Sequence, residues 1–141
     1  MNTIHDVRES FSLEKFLEAR RRTKEVVKVV SQNTFVGMTE DDGHKLIDET
    51  LEKMGAQKKW HPNKFRIGQN TTKSFRDLSD KNISLAQNDI FFVDIGPVWD
   101  NHEGDYGETF VLGENENLNR LREDTKVVFE KTADAWKQDK L

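Results

Sequence analysis

The segment Asp89–Gly113, DIFFVDIGPVWDNHEGDYGETFVLG, carries the strongest β-strand signal in the chain. Residues 89–99 are rich in Ile, Phe and Val, which favour strands. Asp100 and Asn101 are typical of a turn, and residues 105–112 predict a return strand. If the turn is centred on these two residues, the numbers of facing residues sum to 201. The segment therefore predicts an antiparallel hairpin in which Asp105 lies opposite Gly96.

This hairpin places two carboxylates on one face of the sheet. Asp94 lies two residues before Gly96, and side chains alternate between faces with period two, so Asp94 and Asp105 become diagonal neighbours. Their Cβ atoms would be about 7 Å apart or less. With two carboxylates this close, one carboxyl can stay protonated or a cation can lie between them, and hard divalent ions prefer oxygen ligands. Asp105 can equally be a solvated turn acid, and both interpretations remain open at this point.

Helices are predicted on both sides of the hairpin. Ser12 can cap a helix from Leu13 to about residue 30, and Thr39 with Asp42 forms a capping-box-like pair for a second helix that ends at Gly55. A third helix begins near residue 115, and residues 65 and 67 alternate as in a short strand. The element order predicts an α+β fold. The apolar positions of the three helices are Leu13, Phe16, Leu17, Val27 and Val30, then Leu46, Ile47, Leu51 and Met54, then Leu118, Leu121, Thr125, Val128 and Ala135.

Length and composition limit the classes of protein to consider. The chain has 141 residues, so we expect one domain over 1–141, with a flexible N-terminus over 1–11. The absence of cysteine excludes disulfides, thiolate zinc sites and cysteine nucleophiles. A net charge of −4 argues against a nucleic-acid partner. No apolar run is long enough for a membrane span or a secretory signal, so we expect a cytoplasmic protein with no membrane partner.

Residues 94–113 resemble the metal-binding hairpin of the methionine aminopeptidase, Xaa-Pro aminopeptidase and creatinase family. That family carries two aspartates eleven residues apart, as Asp94 and Asp105 are here, and the second leads into a Thr-Phe strand that ends in Gly. Val36-Gly37-Met38-Thr39 resembles the family's G-x-T helix entry, and Gly68-Gln69-Asn70 resembles its G-x-N signature. The resemblance covers roughly residues 13–137 and implies the first half of a pita-bread fold.

The resemblance implies a hydrolase, namely a metallopeptidase that releases the N-terminal residue of a peptide or cleaves an Xaa-Pro bond. In that family two divalent ions (Mn, Co, Zn or Fe) share five ligands, and Asp94 and Asp105 match the first two. The other three, a His and two Glu, come from the second half of the fold, and no His follows Gly113 here. We therefore expect a truncated chain that holds metal weakly and is inactive alone.

Several outcomes stay open for such a chain. A second half, contributed by a homodimer or a partner chain, would complete the site for a peptide substrate. A non-catalytic binding or assembly module is the alternative function, because a half fold would leave a sheet edge and an apolar face exposed. A third reading is that Asp94 and Asp105 are merely a structural acid pair.

Further candidate site residues precede the hairpin. The family places a histidine about five residues after the Asn of its G-x-N signature, where it helps to stabilise the reacting carbonyl, but this chain has Phe75 there, which has no polar group. His61, beside Pro62, is the candidate catalytic replacement, and the alternative is an ordinary loop histidine. Trp60 and Asn70 are candidate substrate-binding residues, although aromatic residues at such positions also form cores.

Overall fold

The structure, a computed structural model, describes residues 10–138. The expected flexible segment 1–11 therefore lies mostly outside the described residues. None of the helices within 10–138 is long and apolar enough to cross a membrane. The elements of this part of the chain are α1 (Leu13–Gln32), α2 (Glu40–Lys53), β1 (Lys58–Lys59), β2 (Lys64–Ile67), a 3-10 helix (Gly68–Thr72), β3 (Asp89–Ile95), β4 (Pro97–Trp99), β5 (His102–Glu103), β6 (Tyr106–Leu112) and α3 (Glu116–Lys137).

Two three-stranded antiparallel sheets share the hairpin, with strand orders β2-β3-β6 and β1-β4-β5. The predicted register is confirmed, because facing residue numbers sum to 201 in the β3–β6 and the β4–β5 pairs. Asp100 and Asn101 have φ of 48° and 61°, the left-handed values that a two-residue hairpin turn with the correct twist requires. The mixture of helices and antiparallel sheets confirms the α+β class.

The prediction of one continuous strand over residues 89–99 was wrong, whereas the predicted return strand over 105–112 is present as β6. The strand before the turn is interrupted at Gly96, and on the other side of the turn residues 104–105 separate β5 from β6. Across this interruption the hairpin passes from one sheet to the other, because β4 also pairs with β1. Asp105 therefore lies in a connection between two strands, where no ladder hydrogen bonds restrain it.

Helices α1 and α2 pack on one face of the larger sheet and form the core with it. Both predicted N-caps are present: Ser12 Oγ accepts from the Lys15 N–H, and Thr39 and Asp42 make the reciprocal capping box. Gly55 has the left-handed φ of 79° that ends α2. The largest fully buried side chains of the core include Val26, Val30, Ile47, Phe65, Phe91, Val93, Ile95 and Trp99.

Two predicted apolar faces are not buried. At the start of α1, Leu13, Phe16 and Leu17 are all exposed, whereas Val27 and Val30 further along are buried. Among its described residues α3 has none that is buried, and it meets the sheet mainly at β6. These faces remain open because no other described element packs over them. The apolar spacing of α1 and α3 therefore marks the apolar side of each helix but not which part of it is buried.

Candidate metal centre

Asp94 and Asp105 occupy structurally different positions on the hairpin. Asp94 lies in the central strand β3, between Lys64 of β2 and Gly107 of β6, and its side chain is half-buried. Asp105 lies in the short connection before β6, and its side chain is 63% exposed. The pleat and the confirmed register bring both carboxylates to the same side of the hairpin.

The segment Trp60-His61 reaches the hairpin because β1 pairs with β4. The Trp60 N–H donates to the Gly96 carbonyl at 2.9 Å, which places the next residue over the strand interruption. His61 Nε2 then lies 3.8 Å from Asp105 Oδ1. One ligand atom from each of His61, Asp94 and Asp105 lies within 4.8 Å of the others. The structure thus brings together both predicted metal ligands and the predicted catalytic histidine.

Glycine at position 96 makes room for the imidazole ring. A Cβ atom there would lie 2.3 Å from His61 Cδ2 and 2.7 Å from Trp60 Nε1, far closer than any real contact. The Gly96 backbone has an ordinary conformation, so the residue is needed for space and not for a positive φ. The imidazole ring of His61 therefore packs directly against the backbone at the strand interruption.

Hydrogen bonds fix the orientation of the imidazole. His61 Nδ1 lies 2.9 Å from the Pro62 carbonyl, and because a carbonyl can only accept, Nδ1 carries the proton of the neutral ring. Nε2 consequently presents its lone pair toward Asp105. The Trp60 ring packs edge-on against the imidazole with centroids 4.4 Å apart, and its indole Nε1 donates to the Gly104 carbonyl. Such support from outer contacts is what orients a metal-binding histidine.

The electrostatics of the site favour a bound cation. Burial raises the pKa of Asp94, and the charge of Asp105 raises it further, while His61 and Lys64 act in the opposite direction. A divalent ion would offset both the desolvation and the repulsion between the two carboxylates. Two carboxylate oxygens and one imidazole nitrogen suit Mn, Fe, Co or Zn. Within residues 10–138 no further His, Asp or Glu joins this group.

Trp60 and Asn70, the two predicted substrate-binding residues, lie in different environments. Trp60 is part of the site, beside the imidazole. Asn70 does not join it, because its side chain is fully buried and donates to Glu40 Oε1 at 2.9 Å, while its Oδ1 accepts from the Asp80 N–H at 3.0 Å. In this position the amide of Asn70 holds the loop that follows the 3-10 helix against α2.

Sequence reasoning named Phe75 at the position of the family histidine but missed Lys64. Phe75 is exposed, and its ring lies 6.3 Å from the His61 ring, so the residue that replaces the family histidine is still a neighbour of the site. Lys64 is the cross-strand partner of Asp94. The register of β2 against β3 is the signal that would have found Lys64, but the four-residue β2 is too short to fix that register from sequence.

A comparison with protein-family profiles matches residues 14–139 to the profile described as Metallopeptidase family M24. The chain belongs to metallopeptidase family M24. The match spans both carboxylates and the histidine, and the resemblance stated from the hairpin motif is confirmed. A comparison with curated protein sequences gave no match.

Solved structures of three peptidases have similar folds. An Xaa-Pro aminopeptidase from Thermotoga maritima has a TM-score of 0.67 at 22% identity, over 77% of this chain and 30% of that one. A prolidase from Pyrococcus horikoshii has a TM-score of 0.71 at 18% identity, over 87% of this chain and 34% of that one. A methionine aminopeptidase from Thermotoga maritima has a TM-score of 0.68 at 23% identity, over 84% of this chain and 49% of that one.

These likenesses confirm the pita-bread fold, and at such identities they show the fold alone. This M24 chain spans between about a third and a half of the length of the three solved proteins. It therefore contains part of the fold that they contain in full.

Proposed function

We propose that this chain carries the metal-binding part of a divalent-metal hydrolase that acts at the N-terminal end of peptides, releasing the N-terminal residue or cleaving an Xaa-Pro bond. The observation that carries the proposal is the convergence of His61, Asp94 and Asp105, whose ligand atoms lie within 4.8 Å of one another. Membership of the M24 family supports the reaction class. A bound ion would supply Lewis-acid polarisation of the scissile carbonyl and an activated water.

The three side chains would share the work of binding the ion. Asp94 supplies an oxygen from the rigid central strand, and Asp105 supplies one from the exposed connection. His61 supplies the Nε2 lone pair, which its bond from Nδ1 to the Pro62 carbonyl leaves free. The same lone pair is the one that would accept a proton in catalysis, so the imidazole cannot bind the ion and carry that proton at once.

Manganese titration tests the proposed metal site. We expect the chain to bind one Mn²⁺ weakly in a calorimetric titration, because three protein donors hold the ion. Asp94→Asn and Asp105→Asn should each lower the affinity at least about tenfold, as loss of a ligand does. Asp124→Asn, in an exposed acid of α3, is the matched control and should bind as the wild type does. Absence of Mn²⁺ binding, or equal affinities in all four proteins, would refute the site.

His61→Gln separates the two roles of the histidine. If Nε2 is a ligand, this variant lowers the Mn²⁺ affinity; if it carries a proton, affinity is kept and turnover is lost. We expect the lowered affinity. We also expect no hydrolysis of small peptides by this chain with Mn²⁺ or Co²⁺, because complete activity would need ligands beyond the three described. Hydrolysis by the chain alone would contradict that expectation.

A non-catalytic assembly module is the second candidate function, and the open face of α3 favours it. An apolar stripe of Leu121, Val128, Phe129 and Trp136 runs along this helix, and all four side chains are exposed. We propose a second copy of this chain as the occupant, because exposed apolar patches mark interaction surfaces and a copy related by a two-fold axis offers the same apolar stripe in return. Light scattering across a concentration series should show a dimer, which Phe129→Glu abolishes and Lys131→Glu leaves intact. A monomer at all concentrations would contradict the module.

A further inference from the structure

Lys64 lies beside the candidate metal centre without a carboxylate partner of its own. It is the cross-strand neighbour of Asp94, so the two side chains start on the same face with Cβ atoms about 5 Å apart. None of the ion pairs within 4.0 Å found in residues 10–138 involves Lys64.

The ammonium group of Lys64 is held in place by an aromatic ring. Its Nζ lies 4.4 Å from the centroid of the Phe75 ring, within the range of a cation–π contact. The same ring contacts His61 edge-on at 6.3 Å. The half-exposed Phe75 thus contacts both the lysine and the histidine of the site, and Lys64 itself is only partly buried, so a ligand can reach it from solvent.

We propose that Lys64 is a specificity-determining residue that binds the terminal carboxylate of a dipeptide whose scissile carbonyl lies at the metal centre. This rests on the proposed function. In a dipeptide the scissile carbonyl and the terminal carboxylate are one residue apart, and consecutive Cα atoms are about 3.8 Å apart. Neighbouring strands, such as those that carry Asp94 and Lys64, lie about 4.8 Å apart, which is about 1 Å more than that span, and the flexible lysine side chain can take up the difference. A longer peptide would place an uncharged amide opposite Lys64.

The alternative for Lys64 is a purely local one, in which the ammonium only offsets the charge of Asp94. The two roles predict different relative affinities for a dipeptide and its C-terminal amide. A lysine that binds the terminal carboxylate gives the free acid a higher affinity than the corresponding amide, because a charge-assisted hydrogen bond is stronger than a neutral one. A lysine that only balances Asp94 treats both ligands alike and changes nothing but metal affinity.

The experiment uses the Mn²⁺-loaded chain and two probes, the dipeptide methionyl-alanine and its C-terminal amide, titrated at low ionic strength. The free acid should bind at least about tenfold more tightly than the amide. Lys64→Met should remove this preference and Lys64→Arg should retain most of it. Lys58→Met, in an exposed lysine of β1, should behave as the wild type does. Mn²⁺ affinity, measured separately, should not fall in Lys64→Met, because the removed charge repels the ion.

Three results would overturn the proposal. Equal affinities of the acid and the amide in the wild type would show that no carboxylate receptor exists. An equal loss of both affinities in Lys64→Met would assign the lysine a structural role. If the wild type binds Mn²⁺ but neither the dipeptide nor its amide, the proposed role of Lys64 is refuted and the metal site is not. If the wild type does not bind Mn²⁺, the proposed function itself is refuted.

Discussion

Replacing Gly96 by alanine is the sharpest test of the role of His61. The added Cβ would lie 2.3 Å from His61 Cδ2 and 2.5 Å from its Nε2, whereas ordinary contacts begin at 3.4 Å. The imidazole must therefore retreat by about 1 Å, and the Trp60 indole, at 2.7 Å from the same Cβ, limits the directions open to it. Since Gly96 has no positive φ, the effect is steric alone.

Two consequences of Gly96→Ala can be given a size. Overpacking of this kind lowers the free energy of unfolding by about 1–3 kcal/mol. Displacing the imidazole from the two carboxylates should also weaken Mn²⁺ binding about 10- to 100-fold, the usual effect of disturbing the support of a metal ligand. Expressed as binding free energy, the second loss is about 1.4–2.8 kcal/mol.

Gly107→Ala is the matched control for this experiment. Gly107 faces Asp94 across the β3–β6 ladder, but a Cβ there would meet Val93 O at 3.5 Å, Asp94 Cβ at 3.6 Å and Asp94 Oδ1 at 3.7 Å, which are all ordinary contacts that require no movement of the carboxylate. Mn²⁺ affinity by calorimetry and Tm without metal should be measured for both variants. Gly107→Ala should match the wild type in both. A folded Gly96→Ala protein with wild-type Mn²⁺ affinity would refute the inference that His61 is a ligand.

Three further outcomes are expected. Burial lowers the pKa of His44, whose Nε2 accepts from the Phe65 N–H at 3.2 Å. The imidazole of His44 therefore gains a proton near pH 6.5 in the unfolded chain but only at lower pH in the folded chain. The free energy of unfolding should consequently fall as the pH drops below about 6.5, and urea titrations should show a smaller fall for His44→Gln than for the wild type. Without metal, Asp94→Asn should raise the Tm at pH 7, because burial and the Asp105 charge disfavour the ionised carboxyl of the wild type. Addition of Mn²⁺ should no longer raise the Tm of this variant. An unchanged Tm with and without the ion would favour a structural acid pair. Asn70→Ala should lower the free energy of unfolding by about 3 kcal/mol in a urea titration, since it leaves buried polar groups without partners; a loss below about 1 kcal/mol would contradict that account.

Local chemistry made the hairpin predictable. Two residues that tolerate positive φ, Asp100 and Asn101, fixed the turn, and the turn fixed every pairing of β3 with β6. The proximity of Asp94 and Asp105 was predictable from that register because side chains alternate along a strand, although Asp105 itself lies just before β6. The capping box at Thr39 and the left-handed Gly55 were also predictable, because each depends only on neighbours within a few residues in the sequence.

The remaining features depend on contacts between distant parts of the chain. The position of His61 follows from β1, a strand of two residues, pairing with β4, and no periodicity signals so short a strand. The burial of Asn70 follows from its bond to Glu40, thirty residues away. Amphipathic spacing marks which side of a helix is apolar, but it does not say whether another element covers that side, as the open face of α3 shows.

The different anchoring of the two carboxylates bears on the kinetics of ion exchange. Asp94 is held by ladder pairing on both sides, whereas Asp105 lies outside the ladder and is the exposed residue of the link 104–105. The other residue of this link, Gly104, is buried and donates its N–H to the Pro97 carbonyl. A bound ion should therefore dissociate from Asp105 first while it is still bound to Asp94 in β3. Rebinding of Asp105 to the ion should then compete with the loss of the ion to solvent. Stiffening that link would lengthen the residence time of the ion while leaving its rate of capture nearly unchanged.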